Sequence, residues 1–203
     1  MIMQTRIRNN KGFTLVEVLI SIAIFVGIAF IIGTFMKSIF DYQLLFTQQL
    51  SAQQEIEQTF ATMVPELRSM VPSALGGYAI GSVSTSSIVF YGDVNGDGVS
   101  DQIRYFLNGT TLEKGIIQAT GNPPVYNGAS EIINDIAHNV VVGTPIFSYY
   151  DANFTGSEAA MTYPIKISDI RLVRISLTLR DPNKTTPLSA STDVVPRNLR
   201  TNL

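Results

Sequence analysis

The chain has 203 residues, 45% of them hydrophobic, with a formal charge of −2 and a single histidine. That length holds one membrane segment and one modest globular domain. The charge balance excludes a broad basic surface for nucleic acid, and the lack of cysteine excludes disulfides, thiol nucleophiles and cysteine-ligated metals.

Residues 1–12 contain Arg6, Arg8 and Lys11 and no acid. From Phe13 to Met36 comes an apolar run of about 24 residues with one charge inside it, Glu17. At ~1.5 Å per residue this crosses a hydrocarbon core of ~30 Å. Basic residues in front of the run keep the N-terminus in the cytoplasm and export the remainder of the chain. A cleaved secretory signal would be shorter and end in small residues. A plain signal anchor fits the length but leaves Glu17 without a reason, and a soluble core helix is rarely apolar all round for six turns.

A carboxylate at mid-bilayer costs ~2.5–3.5 kcal/mol on insertion scales, and less near the interface. Such a group calls for a compensating partner. The nearest conceivable cation is an N-terminal amine made by cutting just before Phe13. It lies one turn from Glu17 on its own chain but is better placed to meet the Glu17 of a neighbouring copy. Unpaired in lipid the acid is costly; paired between subunits it fixes their stagger.

The stretch "KGFTLVEVLI" resembles the prepilin signature of type IV pilins and type II secretion pseudopilins. The resemblance covers the leader, the cleavage site, the acid and the whole apolar run. It implies that Gly12 ends a leader peptide of residues 1–12, that a prepilin peptidase cuts after it, and that Phe13 becomes the methylated N-terminus. Glu17 then acts in assembly. The implied partners are other pilin or pseudopilin subunits, the peptidase, an inner-membrane assembly platform and membrane lipid. One departure is Thr34, where many pilins carry a helix-kinking proline; Gly27 and Gly33 are the flexible points of the segment.

The helical pattern continues past Met36. Ile39, Leu45 or Phe46, Leu50, Ile56, Phe60, Met63 or Val64, and Leu67 recur at spacings of three and four or their multiples, with Gln48, Gln49, Gln53, Gln54 and Glu57 largely between them. This predicts an amphipathic continuation over 37–72 that buries one face. Pro65 lacks an amide donor and is expected to kink or restart it, and "VPSALGG" (71–77) to end it.

From Tyr78 the period falls to two. "SSIVFYGD", "DQIRYFLNGTTLEKG", "TPIFSYYDA" and "IRLVRISLTLRDP" read as strands, and Asn108-Gly109 as a hairpin turn. "GASEIINDIAHNVV" reads as a short helix with Ser130 as its N-cap. Residues 181–203 read as a loop with one short strand at "TDVVP". The expected fold class is α+β: a long N-terminal transmembrane and amphipathic helix on a β-rich head (73–203), a pilin-like lollipop. The later pattern, with "VRISLTLRDP" and "VVPRNLR", is similar to large minor pilins of the PilW-like kind and to the J-type pseudopilin, which implies a tip-proximal or assembly-initiating subunit.

"DVNGDGVSD" sets Asp93, Asn95, Asp97 and Asp101 at positions 1, 3, 5 and 9 around Gly98, with the Val99 carbonyl as a further oxygen. Alternate oxygens on a tight turn suit a structural Ca²⁺. Arg104 stands where an EF-hand has its bidentate Glu, and the flanks read as strands, so a helix-loop-helix sensor is excluded. The competing reading is a solvated β-turn. His138 has no triad partner near it in sequence, and no second His or Cys supports a zinc site. Glu131 and Asp135 read as a solvated helix face, and Tyr149-Tyr150 as strand packing, with stacking on a sugar or base as the alternative. No convergent catalytic set appears, so the expectation is a non-enzymatic subunit of an extracytoplasmic filament, held first in the cytoplasmic membrane. The alternative is a single-pass anchored calcium- or sugar-binding module that never polymerises and keeps its first twelve residues.

Overall fold

The computed structural model describes residues 12–180 and 186–199, leaving aside the side chains of 44–50. Arg6, Arg8 and Lys11, and the side chains of Leu45, Phe46 and Leu50, therefore lie outside the described residues. Helix α1 runs from Leu15 to Arg68. By contact the chain divides into two compact units, 1–48 and 49–203.

In the first unit every described side chain is exposed. The segment Leu15–Gln43 has a mean hydropathy of 2.9, and by length and composition it can cross a membrane. The hydroxyls within it fold back on their own helix: Ser21 Oγ donates to the Glu17 carbonyl, Thr34 Oγ1 to that of Ile31 and Ser38 Oγ to that of Thr34. Such back-bonding satisfies a hydroxyl where lipid offers no partner. The helix continues unbroken through Gly27, Gly33 and Thr34.

The second unit is built on the same helix from Gln49 onward. Its strands are β1 (Ile80–Val83), β2 (Ser87–Gly92), β3 (Asp101–Asn108), β4 (Thr111–Ile117), β5 (Ala119–Thr120), β6 (Val125–Tyr126), β7 (Ile132–Ala137), β8 (Phe147–Tyr150), β9 (Leu172–Leu179) and β10 (Leu188–Val194). They form antiparallel sheets in the orders β1-β2-β3-β4-β7, β10-β9-β8 and β5-β6. A single bridge, Val140 to Leu179, joins the chain after β7 to β9. The β3–β4 hairpin forms where the Asn108-Gly109 dipeptide predicts, but its two loop residues are Gly109 and Thr110: Asn108 still pairs with Thr111, and the positive φ, +59°, falls on Gly109.

The core lies where α1 meets the inner faces of the two larger sheets. Ile56, Met63 and Leu67 of the helix are buried together with Ile88, Phe90, Ile103 and Leu112 of the first sheet and Phe147, Val173, Ile175 and Leu177 of the second. The alternation along β9, with every second residue buried, is the period-two pattern of a strand with one face inward. Each such side chain contributes about 1.5–3 kcal/mol when fully buried.

Three expectations need correction. Pro65 does not interrupt the helix; α1 passes it and ends at Arg68, with the Ser69 amide donating to the Pro65 carbonyl at 3.0 Å. The stretch expected to form a helix over "GASEIINDIAHNVV" is instead a 3-10 turn, Gly128–Ser130, followed by strand β7. Its N-cap is Asn127, not Ser130: Asn127 Oδ1 accepts the Ala129 amide at 3.1 Å. The β-branched Ile132-Ile133 pair and the open edge of β4 outweigh the helix signal. Last, the C-terminal strand begins at Leu188, well before "TDVVP", and pairs with β9 along its whole length.

One charged contact sits inside this core. Lys114 of β4 is 7% exposed, and its Nζ lies 2.5 Å from Glu66 Oε1 in the last turn of α1. Tyr105 Oη donates to the other Glu66 oxygen at 2.8 Å. Burial, and then the Glu66 charge, push the Tyr105 phenol well above its ordinary range, so it stays a donor. Breaking a buried pair on one side costs roughly 3–5 kcal/mol. Glu66 keeps 24% of its side-chain exposure, which lowers the expectation for Lys114→Met to about 2–3 kcal/mol. Urea unfolding of the full chain in detergent measures it, and adding Glu66→Gln should recover part of the loss.

Candidate functional site

Two segments carry the predicted site residues: the start of α1 and the loop between β2 and β3. At the helix start Gly12 and Phe13 are exposed and precede the first helical turn, Phe13 keeping 86% of its surface. A peptide bond in uncovered chain ahead of a helix is accessible to a peptidase.

Thr14 caps the helix. Its Oγ1 accepts the Glu17 amide at 3.3 Å, while Glu17 Oε2 accepts the Thr14 amide and the Thr14 hydroxyl, each at 3.0 Å. This is a reciprocal capping box, which satisfies two backbone donors that a helix start otherwise leaves open. In lipid those donors have no water to turn to. The negative side chain also lies at the favourable end of the helix dipole. Glu17 thus has a local role that sequence reasoning missed, although Thr-x-x-Glu ahead of an apolar run is itself a recognisable signal. Its second oxygen, Oε1, takes no hydrogen bond among the described residues.

In the acidic loop, the Asp93 carboxylate is the hub. Oδ1 accepts the Gly96 and Asp97 amides at 2.7 and 3.2 Å, and Oδ2 accepts the Gly98 amide at 2.9 Å. Asn95 Oδ1 accepts the Asp97 amide, Asn95 Nδ2 donates to Asp97 Oδ2, and the Val99 amide donates to Asp97 Oδ1 at 2.7 Å. Gly96 and Gly98 take φ values of +77° and +84°, which a side chain would strain. Asp93, Asn95, Asp97 and Val99 thus share one tight loop, and Asp101 follows it as the first residue of β3. Among the described residues no group of three or more His, Cys, Asp or Glu stands close enough to hold a metal. The loop's own amides donate to the Asp93 and Asp97 carboxylates. Asp101 is 1% exposed; its Oδ1 accepts the Ala119 amide at 3.2 Å, and its Oδ2 is buried with no hydrogen-bond partner.

Of the remaining candidates, Glu131 forms a two-pronged pair with Arg104, Nε to Oε1 at 3.0 Å and Nη2 to Oε2 at 2.8 Å. Its carboxylate lies across Gly115, where a Cβ would come within 2.0 Å of Oε1. His138 stands between Glu55, 3.2 Å from Nδ1, and Asp135, 3.5 Å from Nε2. Tyr149 is buried and donates to the Ser84 carbonyl, and Tyr150 packs on Phe154 with ring centroids 4.2 Å apart.

Residues 7–26 match the family model described as the prokaryotic N-terminal methylation motif. That stretch includes Gly12, Phe13 and Glu17, and it supports the type IV pilin and pseudopilin class, with processing by prepilin peptidase. No curated protein matches the chain. Thr14→Ala takes the hydroxyl out of the capping box, at a cost of about 1 kcal/mol to the helix start. Amide exchange of the full chain in detergent should quicken at Val16 and Glu17 and stay unchanged beyond Ser21.

Proposed function

We propose that the chain is a structural subunit of a type IV pilus or type II secretion pseudopilus, most like the PilW-like minor pilins and the J-type pseudopilin. In this reading residues 1–12 are the leader, 13–36 the membrane half of the helix, 37–72 its continuation and 73–203 the head. Prepilin peptidase cuts between Gly12 and Phe13, and the new terminus is methylated. The subunit waits in the cytoplasmic membrane with its head exported until an assembly platform draws it into a filament near the tip.

One observation carries the reading. An apolar helix, exposed on every side, begins with a carboxylate that has one oxygen held by Thr14 and one left open. In the filament the apolar stems bury one another, and the open oxygen of Glu17 meets the Phe13 amine of a neighbour. A methylated amine keeps its charge, so the pairing survives the modification.

Mass spectrometry of the protein from its native membranes is the direct test, with a methylated Phe13 as the expected terminus. A terminus at Met1 would instead fit an anchored module that never polymerises. Glu17→Ala should insert normally and enter filaments poorly; incorporation equal to wild type would remove the pairing.

A calcium role for the acidic loop has one observation in its favour, the buried and unpartnered Oδ2 of Asp101 at the loop's exit. An ionised oxygen without a donor is expensive to bury, and a divalent cation drawn between it and Asp97 would relieve that. With a Kd of about 0.1–1 mM, the range of extracellular modules, calcium at about 5 mM would stabilise by roughly 1–2 kcal/mol. The unfolding midpoint of the full chain should therefore rise in about 5 mM calcium and fall back with chelator. Asp101→Asn should stabilise the calcium-free chain and abolish the calcium-dependent part. An unchanged midpoint in calcium would leave the loop as a turn.

A further inference from the structure

Strand β7 closes one edge of the five-stranded sheet, and the first half of that edge is open. Ile132 and Ile133 are neighbours in sequence and point to opposite sides of the sheet, yet they are 58% and 48% exposed. Cover begins at Ile136, whose carbonyl accepts Thr59 Oγ1 at 3.4 Å, and at His138, whose amide donates to Glu55 Oε1 at 2.7 Å. The other edges are treated differently. Strand β1 is bulged between Ile80 and Ser82, β10 exposes Ser189, Ser191 and Asp193, and β8 is flanked by bonds to the Thr85 carbonyl and from the Met161 amide. Sheets blunt free edges with devices of this kind. Strand β7 has a register shift of its own at Ile136, between the Leu112–Ala137 and Glu113–Asp135 pairs, but among the described residues the stretch before it, Ile132 to Asn134, has no such device.

Beside the open stretch, Glu113 of β4 and Asp135 of β7 stand directly opposite each other. Like charges in that position destabilise a sheet. Asn108 Nδ2 donates to Glu113 at 2.8 Å and His138 Nε2 lies 3.5 Å from Asp135, but no Lys or Arg pairs with either among the described residues. The nearest arginine on that face, Arg104, is already committed to Glu131. The free chain therefore holds a charge conflict next to unpaired strand backbone.

We propose that residues 132–135 are a docking edge for an extended strand of another polypeptide. That strand adds to β7 through its backbone, lays aliphatic side chains on Ile132 and Ile133, and sets a lysine or arginine against Glu113 and Asp135. Only a strand matches a row of backbone donors and acceptors, and the paired carboxylates choose its charge. The proposal goes beyond the filament reading, and its test needs no filament.

The probe is a synthetic peptide of about nine residues, the length of a long strand, alternating Val and Thr with one central Lys; its control carries Glu instead. With the full chain in detergent, the Lys peptide should slow amide exchange at 132–135, and the Glu peptide should bind roughly tenfold more weakly. Glu113→Gln and Asp135→Asn should each raise the unfolding midpoint of the free chain while weakening the Lys peptide. Equal binding of both peptides, no slowing at millimolar peptide, or a lowered midpoint in Glu113→Gln would overturn the proposal. So would protection of 132–135 that appears without peptide and grows with chain concentration, because that places a second copy on the edge.

Discussion

The head depends on helix α1 having one register against the sheets, and apolar packing alone does not supply it. Ile56, Phe60, Met63 and Leu67 repeat at three- and four-residue steps, so sliding the helix by a turn would exchange one apolar side chain for another of similar size. The Glu66–Lys114–Tyr105 contact removes that freedom. A shifted helix would leave the Lys114 amine buried without its carboxylate, a larger penalty than any single repacked side chain. Dispersion and burial hold the helix down, and one directional charge contact chooses where. Near the other end of this unit's helix, Glu55 makes a second directional contact with the His138 amide, so both ends of the buried stripe are tied to the first sheet or its exit.

The same helix is written for two surroundings. Over Leu15–Gln43 apolar residues face every direction, and Ser21, Thr34 and Ser38 return their hydroxyls to carbonyls of their own helix. From Glu55 onward the apolar residues narrow to one stripe, and Gln53, Glu57 and Gln58 take the opposite side. The cause of this change is where backbone and side chains find their partners. In lipid the helix must be self-sufficient; on a sheet only one face is buried and the other remains with water. The exposed face of the first stretch is a cost in water, which is why the stretch asks for lipid or for other stems.

Much of this was legible from residue order. The 3.6-residue period, the alternation in β2, β3 and β9, and the glycine of the β3–β4 turn each have a local cause, and each element forms where that cause lies, the turn one residue later than its Asn-Gly dipeptide suggests. The misreadings share a different origin. Residues 131–137 carry helix-compatible spacing, and what makes them a strand is β4, whose edge they complete; nothing within the segment announces that partner. The same holds for β10, whose Ser- and Thr-rich sequence looks like loop until β9 is beside it. Spacing puts Asp101 in the acidic loop, and what it does not announce is that the head of β3 buries that residue. The capping box is the opposite case, since Thr14 and Glu17 are three residues apart and the signal was local throughout. The oddity of an acid in lipid masked it.

The capping box also changes what a partner for Glu17 has to do. An acid with both oxygens bare in lipid would bind any cation and would be costly until one came. Here Thr14 holds one oxygen with two bonds, which lowers the cost of waiting and points the other in a fixed direction. A cationic chain end arriving at Oε1 would leave both Thr14 bonds in place, so nothing already gained at the helix start is lost on pairing. The box and the proposed pairing would therefore not compete for the same oxygen. A subunit built in this way would tolerate its acid before assembly and would still gain from a neighbour that neutralised it.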